Sequence, residues 1–452
     1  MAKRAAIILA AGQGTRMRSA RPKVLHMVGG RPMVDWSVAL AHAVGCEQVI
    51  VVCSPDGQAV QDHVAATLGA GAIAIQDPPL GTGHAVLAAQ PALKDFEGEL
   101  VVLYGDTPLI PVSAINALFA ELGRGAAVGV LGFEAVDPGA YGRLITTETD
   151  DLTAIVEAKD ASPEQLAVRF CNSGVMAAPA RLMFDMLSNV SNENAKGEYY
   201  LTDVVGLARD AGHTCRAVAC DEADVLGVNS RVELAMAERA FQVRMRNALL
   251  ISGVTMTAPE TVFFSHDTAI EPDVTIEPNV IFAPGVTVKS GARIRSFSHL
   301  EGTQVAENCE IGPYARLRPG ASLEEGVKIG NFVEVKKTHL GQGAKANHLS
   351  YLGDGEVGAG ANIGAGTIFC NYDGFLKYQT KVGKNAFVGS NSSLVAPVTI
   401  GDGAFVGSGS VVTKDVEANA LAVARGRQMQ KSGWATSFRD KMAAIKAAKK
   451  KA

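Results

Sequence analysis

A hexad repeat between about Ile270 and Val412 constrains this chain more than any other feature of its sequence. Its clearest copies are Val357-Gly-Ala-Gly-Ala-Asn-Ile-Gly-Ala-Gly-Thr and Ile400-Gly-Asp-Gly-Ala-Phe-Val-Gly-Ser-Gly-Ser. An apolar residue every sixth position, stacked three to a coil, is the pattern of a parallel β-helix. The leading residues run Ile270, Ile276, Phe282, Val288, Ile294 and Leu300, slip to Ile311, Leu317, Leu323, Ile329 and Val335, and continue in sets from Leu340, Val357 and Val382. Gly directly follows the leading residue at 312, 330, 341, 353, 358, 364, 383, 389, 401 and 407. These glycines are assigned to the corners of a triangular coil, because Gly accepts turn conformations closed to other residues. The stretch Asn371 to Lys381 is too long for one corner and is expected to protrude, a usual place for function on a rigid solenoid.

Upstream of Gly253 the texture changes. Residues 5–11 (Ala-Ala-Ile-Ile-Leu-Ala-Ala) are a continuous apolar run, and similar runs recur at Gln48–Cys53, Leu100–Tyr104 and Ala127–Phe133. Helical patterns lie between them, opened by Pro32 and by Ser54-Pro55 and carried by Val112 to Leu122. Alternating strands and helices predict a mostly parallel α/β sheet, with ligands beyond the carboxyl ends of its strands. At 452 residues the chain has room for both parts. The expected boundaries are 1–229 for the α/β domain, 230–250 for a helix that simply connects, and 251–452 for the repeat with a basic tail.

A net charge of −4 argues against bulk polyanion binding, so no nucleic-acid partner is expected. Seven cysteines without a Cys-x-x-Cys pair read as reduced thiols. The basic start and short apolar run up to Gly12 could be a signal peptide, but the run reads better as a buried strand. No stretch approaches the ~20 apolar residues of a membrane span, and a cytoplasmic protein is expected.

The turn after the first strand reads Leu9-Ala-Ala-Gly-Gln-Gly-Thr-Arg-Met, followed by Pro22-Lys23. Glycines let backbone N–H groups close on phosphate oxygens, while Arg16 and Lys23 add charge-assisted donors. A dinucleotide fingerprint competes, but Met17 stands where its third Gly belongs, and no Walker Gly-Lys-Ser/Thr ending is present. Asp106 ends an apolar strand at the sheet's carboxyl edge. The residues alone leave open whether it holds Mg²⁺, which needs only one or two protein ligands, or caps the turn before Pro108. Asn229 precedes Ser230-x-x-Glu233, a capping box opening a helix to about Leu250.

From Leu9 to Leu25 the chain resembles the sugar nucleotidyltransferases. The resemblance continues through Gln76…Leu80-Gly-Thr-Gly-His-Ala85, Leu103-Tyr-Gly-Asp-Thr-Pro-Leu109, Tyr141-Gly-Arg143, Val156-Glu-Ala-Lys-Asp160, Cys171-Asn-Ser-Gly174, Gly197-Glu-Tyr-Tyr-Leu-Thr-Asp203 and Gly227-Val-Asn229. With the hexads, it covers nearly the whole chain and is specific to the family of bifunctional N-acetylglucosamine-1-phosphate uridyltransferases/glucosamine-1-phosphate acetyltransferases. The implied fold is α/β: an N-terminal Rossmann-like nucleotidyltransferase domain with a mostly parallel sheet, and a C-terminal left-handed parallel β-helix of hexapeptide repeats. The implied function is acetyl transfer from acetyl-CoA to glucosamine 1-phosphate, then uridylyl transfer from UTP with release of pyrophosphate. The product would be UDP-N-acetylglucosamine, a precursor of cell-wall and envelope sugars.

The resemblance also implies site residues. Leu9, Ala10, Ala11, Gly12, Lys23, Gln76, Gly81, Thr82, Tyr104 and Gly105 would hold the nucleotide, with Arg16 facing the leaving phosphates and Gln76 the uracil edge. Gly142, Glu157 and Asn172 would hold the acetamido sugar, and Asp106 with Asn229 the Mg²⁺. In the repeat, His348 would be the base, Glu334 would orient the cluster, and Arg318, Lys336, Tyr351 and Lys377 would hold glucosamine 1-phosphate. Asn362, Ala365, Asn371, Tyr372, Ser390, Ser408 and Arg425 would meet substrate or acetyl-CoA. His suits proton removal at neutral pH; His339 is the rival base but lacks the His-Leu-x-Tyr context of His348. A homotrimer is implied as well.

Two other readings compete: a nucleotidyltransferase whose helix only assembles subunits, and a regulatory protein that kept the fold. His348 with Arg318 and Lys336 opposes the first; Asp106 paired with Asn229 and the intact cradle oppose the second. The tail after Arg425 could be a helix gripping a neighbouring subunit, and its last few residues read as a solvated basic end.

Overall fold

The computed structural model describes residues 2–149, 151–194 and 196–450. It divides into two compact units, residues 1–249 with 264–266, and residues 250–263 with 267–452.

The first unit is built on β1 (Arg4–Leu9), β2 (Cys46–Cys53), β3 (Ile73–Ile75), β4 (Glu99–Tyr104), β5 (Val128–Glu134), β6 (Arg143–Thr146), β7 (Leu152–Val156), β8 (Phe170–Pro179) and β9 (Cys215–Cys220). The spatial order is β9-β5-β8-β4-β1-β2-β3, with the β6–β7 hairpin attached to β8. Strands β4, β1, β2 and β3 are mutually parallel, as apolar runs covered on both faces require, and β8 enters antiparallel to both its neighbours. One core packs Ile7, Val102, Val130 and Met183; the other packs Ile8, Val51, Leu103 and Phe119. The carboxyl ends of β1 and β4 stand side by side, Leu9 opposite Tyr104, which brings the Gly-rich turn next to Asp106. The helix Arg231–Ile251 belongs to this unit as far as Leu249, and its Ala237 and Phe241 pack with Met17, Val28 and Met33.

The second unit is the left-handed parallel β-helix. Ile276, Ile294, Ile311, Ile329, Ala346, Ile363, Val388 and Val406 stack in one lane. A second lane runs through Phe282, Leu300, Leu317, Val335, Leu352, Phe369, Leu394 and Val412. The third runs through Ile270, Val288, Val305, Leu323, Leu340, Val357, Val382 and Ile400. Nearly all of these side chains are fully buried. The slip after Leu300 is thereby explained: Val305 takes the third-lane place one residue early. Val335 to Leu340 and Leu352 to Val357 are short in the same way, and the long Asn371–Lys381 segment lies between Phe369 and Val382. Between Ile270 and Val412 every departure from six therefore falls at one corner, between the second and third lanes.

The structure corrects the role given to the glycines that follow the inward residues. Among them only Gly312 has a positive φ (94°). The left-handed corner residues lie two places further on: Gly291, Gly326, Gly343, Gly360, Gly366, Gly403 and Gly409, and elsewhere Asn279, Asn308, Asn385 and Asn391. At one corner Phe297, Tyr314 and Phe332 occupy this strained position, their rings stacked at 4.8 and 5.2 Å. Most of the glycines after the inward residue instead allow close approach of the next coil. A Cβ on Gly358 would stand 2.5 Å from Lys384 N, and one on Gly401 2.4 Å from Ala418 N.

The two kinds of glycine should respond differently to substitution. Gly358→Ala is expected to destabilise the helix by about 1–3 kcal/mol, because backbone cannot yield as a side chain can. Gly326→Asn, at φ 71° with open space around it, should change stability by only about 0.5 kcal/mol, since Asn tolerates that conformation. Denaturant unfolding of both variants checks this; equal losses would contradict the close-approach role.

Candidate functional site

In the first unit, a cavity of about 530 Å³ opens over the carboxyl ends of β1 and β4. Leu9, Ala10, Ala11, Gly12, Lys23, Gln76, Gly81, Thr82, Tyr104 and Asp106 line it, so most of the expected nucleotide contacts meet in one place. Gly105 is buried beneath, its N–H donating to Leu9 O at 3.0 Å. Gln76 Nε2 donates to Gly81 O at 2.8 Å and stands 3.4 Å from His84 Nδ1. The segment carrying Gly81 and Thr82 is fastened to 199–201: Tyr199 N donates to Leu80 O (2.8 Å), Gly83 N to Tyr199 O (2.8 Å), and Leu201 N to Thr82 Oγ1 (3.0 Å). Arg16 is exposed on the 3-10 turn Thr15–Met17 and is not part of the lining.

Lys23 Nζ joins two elements that the sequence keeps far apart, contacting Asp106 Oδ2 and standing 3.1 Å from Asn229 Oδ1. Ser230 caps the helix, Glu233 N donating to its Oγ at 3.3 Å, while the Glu233 carboxylate reaches one residue further back than in a capping box and fixes Asn229, whose N–H donates to Glu233 Oε2 at 2.7 Å. Val228 N donates to Asp106 O at 2.9 Å and closes the frame. Among the described residues no group of three or more His, Cys, Asp or Glu side chains could hold a metal ion. One carboxylate and one amide oxygen around a cation nevertheless suit Mg²⁺, a hard ion that takes few protein ligands beside phosphate.

Gly142, Glu157 and Asn172 form a second group. Asn172 N donates to Gly142 O at 2.8 Å, and a Cβ on Gly142 would lie 3.5 Å from Glu157 Oε1 and 3.7 Å from Asn172 Cβ. Burial raises the Glu157 carboxyl above its ordinary range, with Lys196 opposing. The Tyr104 hydroxyl is also pushed up, by burial first and then by the charges of Asp106 and Glu157. Arg143, buried next to Gly142, gathers the carbonyls of Pro138, Gly139 and Tyr141 and fixes the approaching loop.

In the second unit, His348 lies at the end of the strand Lys345–His348 with its Nδ1 2.8 Å from Asn331 Oδ1, one coil earlier in register. Because an amide oxygen only accepts, Nδ1 is the donor in this contact, and in the neutral ring that leaves the lone pair on Nε2. Ala365, Ser390 and Ser408 occupy the corresponding place in the next coils, two residues past Ile363, Val388 and Val406, so four expected site residues form one column with His348 at its head. Arg425 reaches Ser408 O, and Asn362 stands on the outer side of the same lane.

A second group occupies the neighbouring face. Glu334 and Tyr351 pair in register, and Arg318 Nη1 donates to Glu334 Oε1 at 2.8 Å. Lys336 lies 3.6 Å from Asp354, which also accepts from Asn371 Nδ2; Lys336 and Asp354 side chains are only 12 % and 19 % exposed. Lys377 is held below the ordinary ammonium range by Lys336 beside it. The loop bearing Tyr372 is open to solvent, with Phe375 91 % exposed. His339 stands away from this group, 3.2 Å from Glu324.

Sequence reasoning missed Asn331 and Asp354. The coil period could have found Asn331, which precedes His348 by one turn of the helix. Asp354, at φ 51° in one of the short corners, carries no pattern of its own.

Fold and sites define a sugar nucleotidyltransferase unit and a hexapeptide acyltransferase unit in a single chain. The model for the MobA-like NTP transferase domain matches residues 6–166, and that for the bacterial transferase hexapeptide (six repeats) matches 302–337 and 379–414. The chain is 62 % identical over 446 residues to the Bifunctional protein GlmU of Maricaulis maris, covering 99 % of this chain and 98 % of that protein. It is 62 % identical over 447 residues to that of Hyphomonas neptunium (99 % and 97 %), and 57 % identical over 447 to that of Caulobacter vibrioides (99 % and 96 %). The chain belongs to the GlmU family of bifunctional transferases.

Proposed function

We propose that the two residue clusters are two active sites working in series on one sugar phosphate. The chain is a bifunctional enzyme that makes UDP-N-acetylglucosamine with UTP and acetyl-CoA as co-substrates. The residue roles below rest on the convergence of distant segments, above all Lys23, Asp106 and Asn229 in one unit and the His348 column in the other.

In the β-helix, the amine of glucosamine 1-phosphate attacks the thioester carbonyl of acetyl-CoA, the C–N bond forms, the C–S bond breaks, and CoA leaves as thiol. His348 Nε2 takes the amine proton, held in that tautomer by Asn331. Arg318, Lys336, Tyr351 and Lys377 hold the sugar phosphate, with Asp354 and Glu334 spacing the cations. Ala365, Ser390 and Ser408 offer a small-residue track for the pantetheine arm, and Arg425, Asn362, Asn371 and Tyr372 flank it. A homotrimer fits a column that lies open on the helix surface.

In the α/β unit, an oxygen of N-acetylglucosamine 1-phosphate attacks the α-phosphorus of UTP and pyrophosphate leaves. No side-chain nucleophile is needed; positioning and charge carry the rate. The N–H groups of the 10–14 turn and Lys23 hold the phosphates, Arg16 meets those that leave, and Gln76 orients the base. Gly142, Glu157 and Asn172 hold the acetamido sugar. Asp106 and Asn229 would hold Mg²⁺, which supplies charge neutralisation at the phosphates.

Among the described residues no helix is long and apolar enough to cross a membrane. All seven cysteines are free, and burial pushes Cys46 and Cys220 up to about 12. Free thiols throughout suit a reducing, cytoplasmic setting. Glucosamine 1-phosphate, acetyl-CoA, UTP and Mg²⁺ supplied together should yield free thiol and pyrophosphate. Thiol without pyrophosphate would leave only the acetyltransferase; pyrophosphate from UTP and supplied N-acetylglucosamine 1-phosphate, with no thiol from glucosamine 1-phosphate and acetyl-CoA, would leave only the uridyltransferase.

A further inference from the structure

The cleft between Asp106 and Asn229 is filled by a cation of the protein's own. The stem of Lys23 lies against Gly14, whose left-handed backbone (φ 60°) carries no Cβ; one there would stand 2.6 Å from Lys23 Cβ. The ammonium touches Asp106 Oδ2 and lies 3.1 Å from Asn229 Oδ1, and the Lys23 and Asp106 side chains are only 11 % and 17 % exposed. Both oxygen-bearing residues are anchored through their backbones, by Val228 N on Asp106 O and by Asn229 N on Glu233. Neither anchor involves Lys23, so the backbones that carry the two oxygens are held without it. An ammonium and a divalent ion cannot use the same two oxygens at once.

We propose that Lys23 is a placeholder for the divalent cation: it neutralises Asp106 until the metal arrives, and metal binding releases its ammonium to the phosphates held by the neighbouring glycine turn. This rests on the uridyltransferase reading, which assigns the metal to Asp106 and Asn229. The released ammonium has a short path, because Gly12 stands beside it; a Cβ on Gly12 would be 4.0 Å from Lys23 Nζ. Lys23 and metal thus compete in the nucleotide-free protein and act together once a triphosphate is present.

The full chain without nucleotide is titrated with Mn²⁺, and free Mn²⁺ is read by electron paramagnetic resonance, for wild type and Lys23→Met. Lys23→Met should bind Mn²⁺ about tenfold or more tightly, since no ion pair has to be broken first. A thermal double-mutant cycle of Lys23→Met with Asp106→Asn separates direct contact from a merely nearby charge. The two losses in Tm should be non-additive without metal and additive for a metal-saturated pair in which Asn still ligates. Unchanged or weaker Mn²⁺ binding by Lys23→Met, or additive losses without metal, overturns the placeholder role. If neither wild type nor Lys23→Met binds Mn²⁺ while the cycle still couples, the ion pair stands and the metal assignment itself falls, taking the proposal with it.

Discussion

Replacing His348 by Ala is expected to lower thiol release from acetyl-CoA by about 10²–10⁴-fold, the usual contribution of a positioned general base. Pyrophosphate release from UTP and supplied N-acetylglucosamine 1-phosphate should stay at the wild-type rate. The selectivity follows from the lane architecture: His348 is exposed, its imidazole meets Asn331, and the core of its coil is carried by Ala346 and Leu352. The histidine can therefore be removed without loosening the stack. Thiol production at an unchanged rate would show that another group takes the proton, and His339, paired with Glu324, would be the next to test.

Asp106→Ala should produce the opposite pattern, a fall of about 10²–10³-fold in pyrophosphate release with acetyl transfer intact, measured in the same two assays. Two losses combine in this substitution. The carboxylate that would hold the metal disappears, and the Lys23 ammonium keeps only Asn229 of its two partners. Uridylyl transfer that survives at near wild-type rate would remove Asp106 from the active site.

The parts of the molecule that could be read in the sequence are those with local signals. Apolar runs such as 5–11 and 100–104 need cover on both faces, and the hexads repeat one physical unit many times, so both folds were legible. The capping-box pattern at Ser230 and Glu233 likewise announced the start of a helix, and the structure uses its Glu233 to place Asn229. What stayed hidden depends on neighbours distant in the chain. The fastening of Leu80–Gly83 to Tyr199–Leu201 joins segments more than a hundred residues apart, and no pattern in either predicts it. The glycines were misread for a related reason: their pattern reveals that a side chain is excluded, but turn geometry and a neighbouring coil exclude it equally well. Asp354 escaped notice because its value lies in where Lys336 and Asn371 happen to meet.

The concentration of all irregular steps at one corner of the β-helix has an evolutionary consequence. Along each strand the side chains alternate in and out, so a residue gained or lost within a lane would turn the following inward residues toward solvent. From Ile270 to Val412 two corners keep the six-residue step, while the third accommodates both the short steps at Leu300–Val305, Val335–Leu340 and Leu352–Val357 and the long loop after Phe369. That corner carries Asp354 and lies beside Lys336 and Lys377. Insertions and deletions can thus remodel the end of the site proposed for the sugar phosphate while the hydrophobic stack stays in phase, which separates the adaptable part of the enzyme from the part that must not change.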